Sequence, residues 1–150
     1  MRIFIDANLL VYLNTVKKPE LRREYEAFYE DIILNHRACS DVLVLDEVLY
    51  ISRKKYNVPY TITLKFIESV VVNYTEILPL RKAEYSEAAE ILERHSMRPS
   101  DALHAAAMVL NHVPRIATED AEFDKVKGIE RVWMTVGYGG RKRRATLEGK

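Results

Sequence analysis

Apolar residues fall in short runs separated by longer stretches with a helical beat. Ile3, Phe4 and Ile5 form the first run, so Arg2 to Ile5 predicts a short buried strand that ends at Asp6. Ala7 to Leu13 is apolar enough to begin a helix. Pro19 opens a second helical stretch, in which Leu21, Tyr25, Phe28, Tyr29, Ile32 and Ile33 recur at spacings that keep them on one face. Arg37 to Cys39 predicts a second short strand. Ser40 is then the expected N-cap of a helix from Asp41 to about Tyr56, which Asn57-Val58-Pro59 breaks.

The second half repeats the alternation. A helix is expected from Tyr60 to about Val72, a strand over Thr75 to Leu78, and an amphipathic helix from Lys82 to His95 with Tyr85, Ala88, Ala89 and Leu92 inward. Arg98-Pro99-Ser100 interrupts the chain, with Ser100 the expected N-cap of an alanine-rich helix from Asp101 to Asn111. Arg115 to Thr118 and Glu130 to Met134 predict the last strands, with Trp133 in the core. Short strands alternating with helices imply an α/β fold, a three-layer α/β/α sandwich around a mostly parallel sheet.

Composition bounds this picture. A chain of 150 residues, 48% hydrophobic and 30% charged, suits one globular domain with one core. Cys39 is the only cysteine, which excludes an intramolecular disulfide and a cysteine-based zinc site, and fits a reducing, cytoplasmic location. Asp6 and Asn8 interrupt the apolar start, and no apolar stretch approaches the ~18 residues of a membrane span. Glutamine is absent while Glu, Lys and Arg are abundant, a bias in the direction of thermophilic proteins.

Charge is unevenly spread. The net charge is +1, yet the last ten residues carry five Lys or Arg against one Glu, which leaves the preceding body near −3. A domain over 1–138 with a basic, flexible tail over 139–150 is expected; the tail either attracts phosphates or merely solubilises.

Four acids occupy unusual places. Asp6 and Asp120 each follow a strand, at the sheet edge where open parallel sheets bind ligands. Asp101 lies in a first helical turn, where free N–H groups favour negative charge. Glu47 interrupts an apolar helix between Leu45 and Val48. Singly, each is an ordinary loop, cap or surface acid. Converging at one edge, they would repel one another until a hard cation relieved them, and Mg²⁺ or Mn²⁺ prefers such oxygen ligands. Such a site can hold a phosphodiester, activate water and stabilise the leaving oxygen.

Four segments carry a family pattern: Phe4-Ile5-Asp6-Ala7-Asn8, Leu45-Asp46-Glu47-Val48-Leu49, Pro99-Ser100-Asp101-Ala102-Leu103-His104-Ala105-Ala106 and Thr118-Glu119-Asp120-Ala121-Glu122-Phe123. In this order they resemble the PIN domain, and more narrowly the VapC-type toxins of VapBC toxin–antitoxin pairs, from Arg2 to about Met134. The resemblance implies an α/β/α sandwich and a Mg²⁺- or Mn²⁺-dependent endoribonuclease leaving 5′-phosphate and 3′-hydroxyl ends. It also implies an RNA substrate, a homodimer, a small antitoxin partner and no membrane. By it, Asp6, Glu47, Asp101 and Asp120 match the catalytic and metal-binding quartet, with Asp6 and Asp101 the foremost ligands. Asn8, Ser100 and Thr118 match substrate-binding or supporting positions. Glu119, Glu122 and Asp124 compete for the fourth place, and Asp120 is preferred for its spacing from Thr118 and Phe123.

Other residues carry blander readings. His104, three residues after Asp101, is read as a packed or hydrogen-bonded helix histidine ahead of a ligand; His36, His95 and His112 are read as surface. Arg53-Lys54-Lys55 suits a helix C-terminus, with phosphate contact as the second reading. Tyr25, Phe28 and Tyr29 read as core or dimer surface before base-stacking platform. Two other functions are weighed. A haloacid-dehalogenase-type phosphatase needs a second Asp where Asn8 stands, and a non-catalytic PIN-like RNA- or protein-binding module would lack some of the four acids.

Overall fold

A computed structural model describes residues 1–134; the tail expected over 139–150, and the domain's end at 138, lie outside the described residues. Five strands form one parallel sheet: β1 (Arg2–Ile5), β2 (Arg37–Asp41), β3 (Glu76–Leu78), β4 (Arg115–Ala117) and β5 (Glu130–Val132), in the order β3-β2-β1-β4-β5. Parallel strands need crossovers, and the helices supply them: α1 (Ala7–Thr15), α2 (Pro19–Asn35), α3 (Val42–Tyr56), α4 (Tyr60–Phe66), α5 (Lys82–Arg94) and α6 (Pro99–Leu110). A π-helical turn over Ile67–Val71 extends α4, and a 3₁₀ turn over Ala121–Lys125 precedes β5. The expected α/β/α sandwich is the observed one.

The strand order decides where a site can form. From β1 the chain steps outward to β2 and β3, then returns past β1 to lay down β4 and β5 on the other side. Right-handed crossovers therefore place α1–α4 on one face and α5–α6 on the other. The order reverses between β1 and β4, and at that point the carboxyl ends of the strands open a crevice. Central β1 is buried on both faces, which explains its unbroken apolar run; Ile3, Phe4 and Ile5 have almost no exposed surface. Phe28, Phe123, Ile116 and Met108 complete the core around it.

Several local readings shift. The N-cap of α3 is Asp41, whose Oδ1 accepts from Val44 N at 2.9 Å, one residue beyond the expected Ser40. Ser40 instead stays in β2 and donates to the Ile5 carbonyl at 3.0 Å. Helix α6 starts at Pro99, so Ser100 lies in its first turn and Arg98 holds the cap position. In α5 the inward face is Glu84, Ala88 and Ile91, while Tyr85 and Leu92 are exposed. The reason is Glu84, which Arg81 binds through its guanidinium and its backbone N–H, so that a capping acid takes an inward place. The end of the long helix expected to Val72 widens into the π turn, which buries Ile67 and Val71.

Candidate active site

Asp6 stands at the end of β1, where it caps α1 and faces the crevice beside β4. Its Oδ1 accepts from Ala7 N and its Oδ2 from Thr118 Oγ1, both at 2.8 Å. Thr118, fully buried at the end of β4, also receives the Asn8 amide at 2.8 Å and the Asp120 N–H at 3.1 Å. One hydroxyl thus ties together residues from the ends of both central strands. Burial pushes the Asp6 carboxyl up to about 6, against the pull of His104, Thr118 and Ala7 N–H, and nearby Asp101 pushes it further.

Glu47 reaches the same place from α3. His104 sits between two acids, with Nδ1 at 2.7 Å from Asp41 Oδ2 and Nε2 at 2.6 Å from Glu47 Oε1. Carboxylates only accept, so both ring nitrogens carry protons and His104 is an internal cation. Burial alone would depress its imidazole; the bonds to Asp41 and Glu47 outweigh that and push it up to about 10. The hydrogen-bonded reading of His104 holds, and its partners fix the orientation of Glu47.

Asp101, buried in the first turn of α6, accepts from Arg98 Nε at 3.2 Å. The other end of that guanidinium lies 3.8 Å from Asp120 Oδ2. Burial raises the Asp101 carboxyl and Arg98 opposes the rise. Asp120 also caps the 3₁₀ turn by accepting from Glu122 N at 3.0 Å. Of its competitors, Glu122 pairs with Lys125 and Asp124 with Arg131, while Glu119 lines the same crevice but takes a hydrogen bond from Tyr12.

The structure thus gathers Asp6, Asn8, Glu47, Asp101, Thr118 and Asp120 around one crevice. Ser100 lies next to Asp101 in the chain, but its side chain makes no hydrogen bond among the described residues. Sequence reasoning missed two members, Asp41 and Arg98. Both had a signal: Asp41 ends a strand as Asp6 does, and Arg98 precedes Asp101 by one helical turn.

Whether a metal fits can be judged from the donors. Oxygen atoms of Asp6 and Glu47 and a ring nitrogen of His104 lie within 4.8 Å of one another. Both His104 nitrogens are already engaged, which leaves oxygen donors, the set a hard divalent ion prefers. Five carboxylates, Asp6, Asp41, Glu47, Asp101 and Asp120, meet only His104 and Arg98 as partner cations among the described residues, a local surplus of about three negative charges for a divalent ion to reduce. Asn8 also keeps a buried Oδ1 with no hydrogen-bond partner among the described residues, beside this cluster. The residues fit a hard cation.

A cavity of about 210 Å³ opens over these groups, with Asp6, Asn8, Glu47 and Asp120 in its wall together with Tyr12, Lys55 and Tyr56. A larger, mainly apolar groove of about 530 Å³ lies elsewhere, between α2 and the π turn, and holds none of the four acids. No helix among the described residues is long and apolar enough to cross a membrane.

Known proteins share this plan. The PIN domain family model matches residues 3–129. A VapC ribonuclease of Mycobacterium bovis and ribonuclease VapC13 of Mycobacterium tuberculosis are each 24% identical over 135 residues, which cover 87% of this chain and 98% of theirs. VapBC2 from Rickettsia felis, solved bound to a DNA fragment from its promoter, is similar with TM-score 0.66 at 19% identity, over 89% of this chain and 98% of that one. Mycobacterium tuberculosis VapC20, described as a sarcin-ricin loop cleaving toxin, has TM-score 0.68 at 14% identity, over 81% and 92% of the two chains. The structural likenesses carry the fold.

Proposed function

The chain belongs to the PIN domain family, and from that premise we propose that it is a metal-dependent endoribonuclease, the toxin of a VapBC-type toxin–antitoxin pair. The observation that carries the reading is the meeting of Asp6 and Glu47 at the switch point of the sheet, with Asp101 close enough to act on Asp6 electrostatically and bridged to Asp120 by Arg98. The names of the relatives supply the reaction class.

In this reading Asp6, Glu47, Asp101 and Asp120 hold Mg²⁺ or Mn²⁺. When bound, such an ion polarises a phosphodiester and lowers the pKa of water. Thr118 and the Ala7 N–H orient Asp6, while the Asp41–His104 pair orients Glu47. Arg98 bridges Asp101 and Asp120 and limits their repulsion. Asn8 supports the site through Thr118, and Ser100, beside Asp101 in the first turn of α6, stands where substrate would reach it.

An RNA-cleaving toxin acts where RNA is, so we place it in the cytoplasm. A small antitoxin and a second copy of the chain are its protein partners in this reading. Exposed apolar side chains such as Leu34, Ile62 and Leu64 offer surface of the kind that partners cover.

The test is cleavage of purified RNA by the full chain. Mn²⁺ or Mg²⁺ should support it, EDTA should abolish it, and the products should end in 5′-phosphate and 3′-hydroxyl. The Asp6→Asn/Asp101→Asn double variant should be inactive; cleavage retained by that variant sinks the proposal.

A further inference from the structure

The cavity over the acids has a wall of opposite character. Glu47, Ile51 and Lys55 all line it, and their spacing of four residues stacks them along one face of α3. One helix face therefore runs from an acid of the proposed metal site to a cation two turns away, a rise of about 12 Å. Tyr56 follows Lys55 in the same wall, with its side chain about half exposed at 47%.

A basic run at a helix C-terminus is ordinary, because the dipole favours it. The members of this run, however, are not equivalent. Arg53 donates to Asn57 Oδ1 at 2.7 Å, within its own helix end. Lys54 donates to Tyr50 OH at 2.9 Å and lies 5.2 Å from the centre of that ring. Lys55 lines the cavity and has no hydrogen-bond or ion-pair partner among the described residues. A helix dipole does not explain why the one unpaired cation of the three lines the cavity with the acids.

The aromatic side of the cavity is braced. The ring of Tyr12 stacks on Tyr25 at 4.8 Å, and its hydroxyl donates to Glu119. Tyr12 is therefore committed, whereas Tyr56 keeps an open ring face. An unpaired cation beside an open aromatic ring matches the two parts of a nucleotide, phosphate and base.

We propose that Lys55 and Tyr56 form a nucleotide subsite next to the scissile position, Lys55 taking a phosphate and Tyr56 a base of single-stranded RNA. The inference rests on the ribonuclease reading and adds the path of the strand, which leaves the four acids along α3. It also divides the labour: the acids act on the bond, and the end of α3 holds the neighbouring nucleotide.

The test uses the full chain and a labelled single-stranded oligoribonucleotide. Binding is read by fluorescence anisotropy with the Asp6→Asn variant as background, and KM and kcat by cleavage with the otherwise native protein in Mn²⁺. Lys55→Ala should weaken binding and raise KM roughly five- to tenfold with kcat within about twofold, and should make the salt dependence of log K shallower by about 0.7. Tyr56→Ala should weaken binding at least fivefold without changing that slope. Lys55→Arg should restore the slope, and Lys54→Ala should leave affinity and slope unchanged. Both residues are exposed, and unchanged melting temperatures confirm that the variants fold. If Lys55→Ala and Tyr56→Ala bind and cleave as the parent does, the subsite falls while the ribonuclease stands. Binding without cleavage leaves the affinity ratios to decide the subsite and counts against the ribonuclease. Neither binding nor cleavage overturns both.

Discussion

Asp6 and Asp41 occupy equivalent places in adjacent parallel strands. Each stands at the carboxyl end of its strand, each caps the next helix with Oδ1, and each is buried, with 5% and 0% of its surface exposed. They differ in what the second oxygen meets. For Asp41 it is the His104 ring at 2.7 Å, a cation enclosed with it. For Asp6 it is the neutral Thr118 hydroxyl, in a crevice that Asp101 and Glu47 also approach. The first acid is consumed by its own fold, while the second keeps charge that the fold leaves uncompensated. A buried carboxylate becomes a site when its surroundings orient it without neutralising it.

That contrast predicts opposite outcomes for the same substitution. The largest effect expected is on activity: Asp6→Asn should lower Mn²⁺ affinity and RNA cleavage by about 100-fold or more, read by calorimetry and product formation, since the proposed function makes Asp6 a direct ligand. Native-like values for Asp6→Asn would place the site elsewhere. Asp41→Asn should act on stability, lowering it by about 3 kcal/mol in denaturant unfolding, because it removes the fully buried carboxylate of the His104 pair and leaves the cation to Glu47 alone. A neutral result there would mean that His104 is not an enclosed cation.

The next effect is smaller and of the other sign. The folded-state pKa of Asp6 is raised from 3.8 to about 6, so folding favours the protonated acid. The cost is absent below about 4, grows as pH rises through 6, and is fully present at neutral pH. Asp6→Asn should therefore stabilise the metal-free protein by about 2 kcal/mol at pH 7.5, and by little at pH 4. The mildest expectation concerns competition between proton and metal. Mn²⁺ affinity should be flat above about pH 6.5 and fall roughly tenfold per unit below pH 6 as Asp6 takes up a proton. A flat profile down to pH 5 would remove Asp6 from the ligand set.

Helices and strands were largely legible in the chain because their signals are local. The apolar run Ile3-Phe4-Ile5, the proline at position 19 and the break at Asn57-Val58-Pro59 each act within a few residues. So do the positions of Asp6, Glu47, Asp101 and Asp120, set by strand ends and helix turns. Local rules also misplace things: Ser40 and Ser100 are good caps by type, yet β2 holds Ser40 and the turn at Pro99 starts α6 early.

What the sequence by itself determined is the set of elements and an acid at the end of each inner strand. Which acid would be left uncompensated was decided only by tertiary structure. His104 lies 63 residues from Asp41 and 57 from Glu47, and no periodicity links positions so far apart. The reversal of strand order sets Asp6 beside Thr118, and the meeting of the starts of α3 and α6 over the strand ends gives the histidine to Asp41 and Glu47. Charge compensation is a property of neighbours in space, and those neighbours exist only once the sheet has brought the strand ends together.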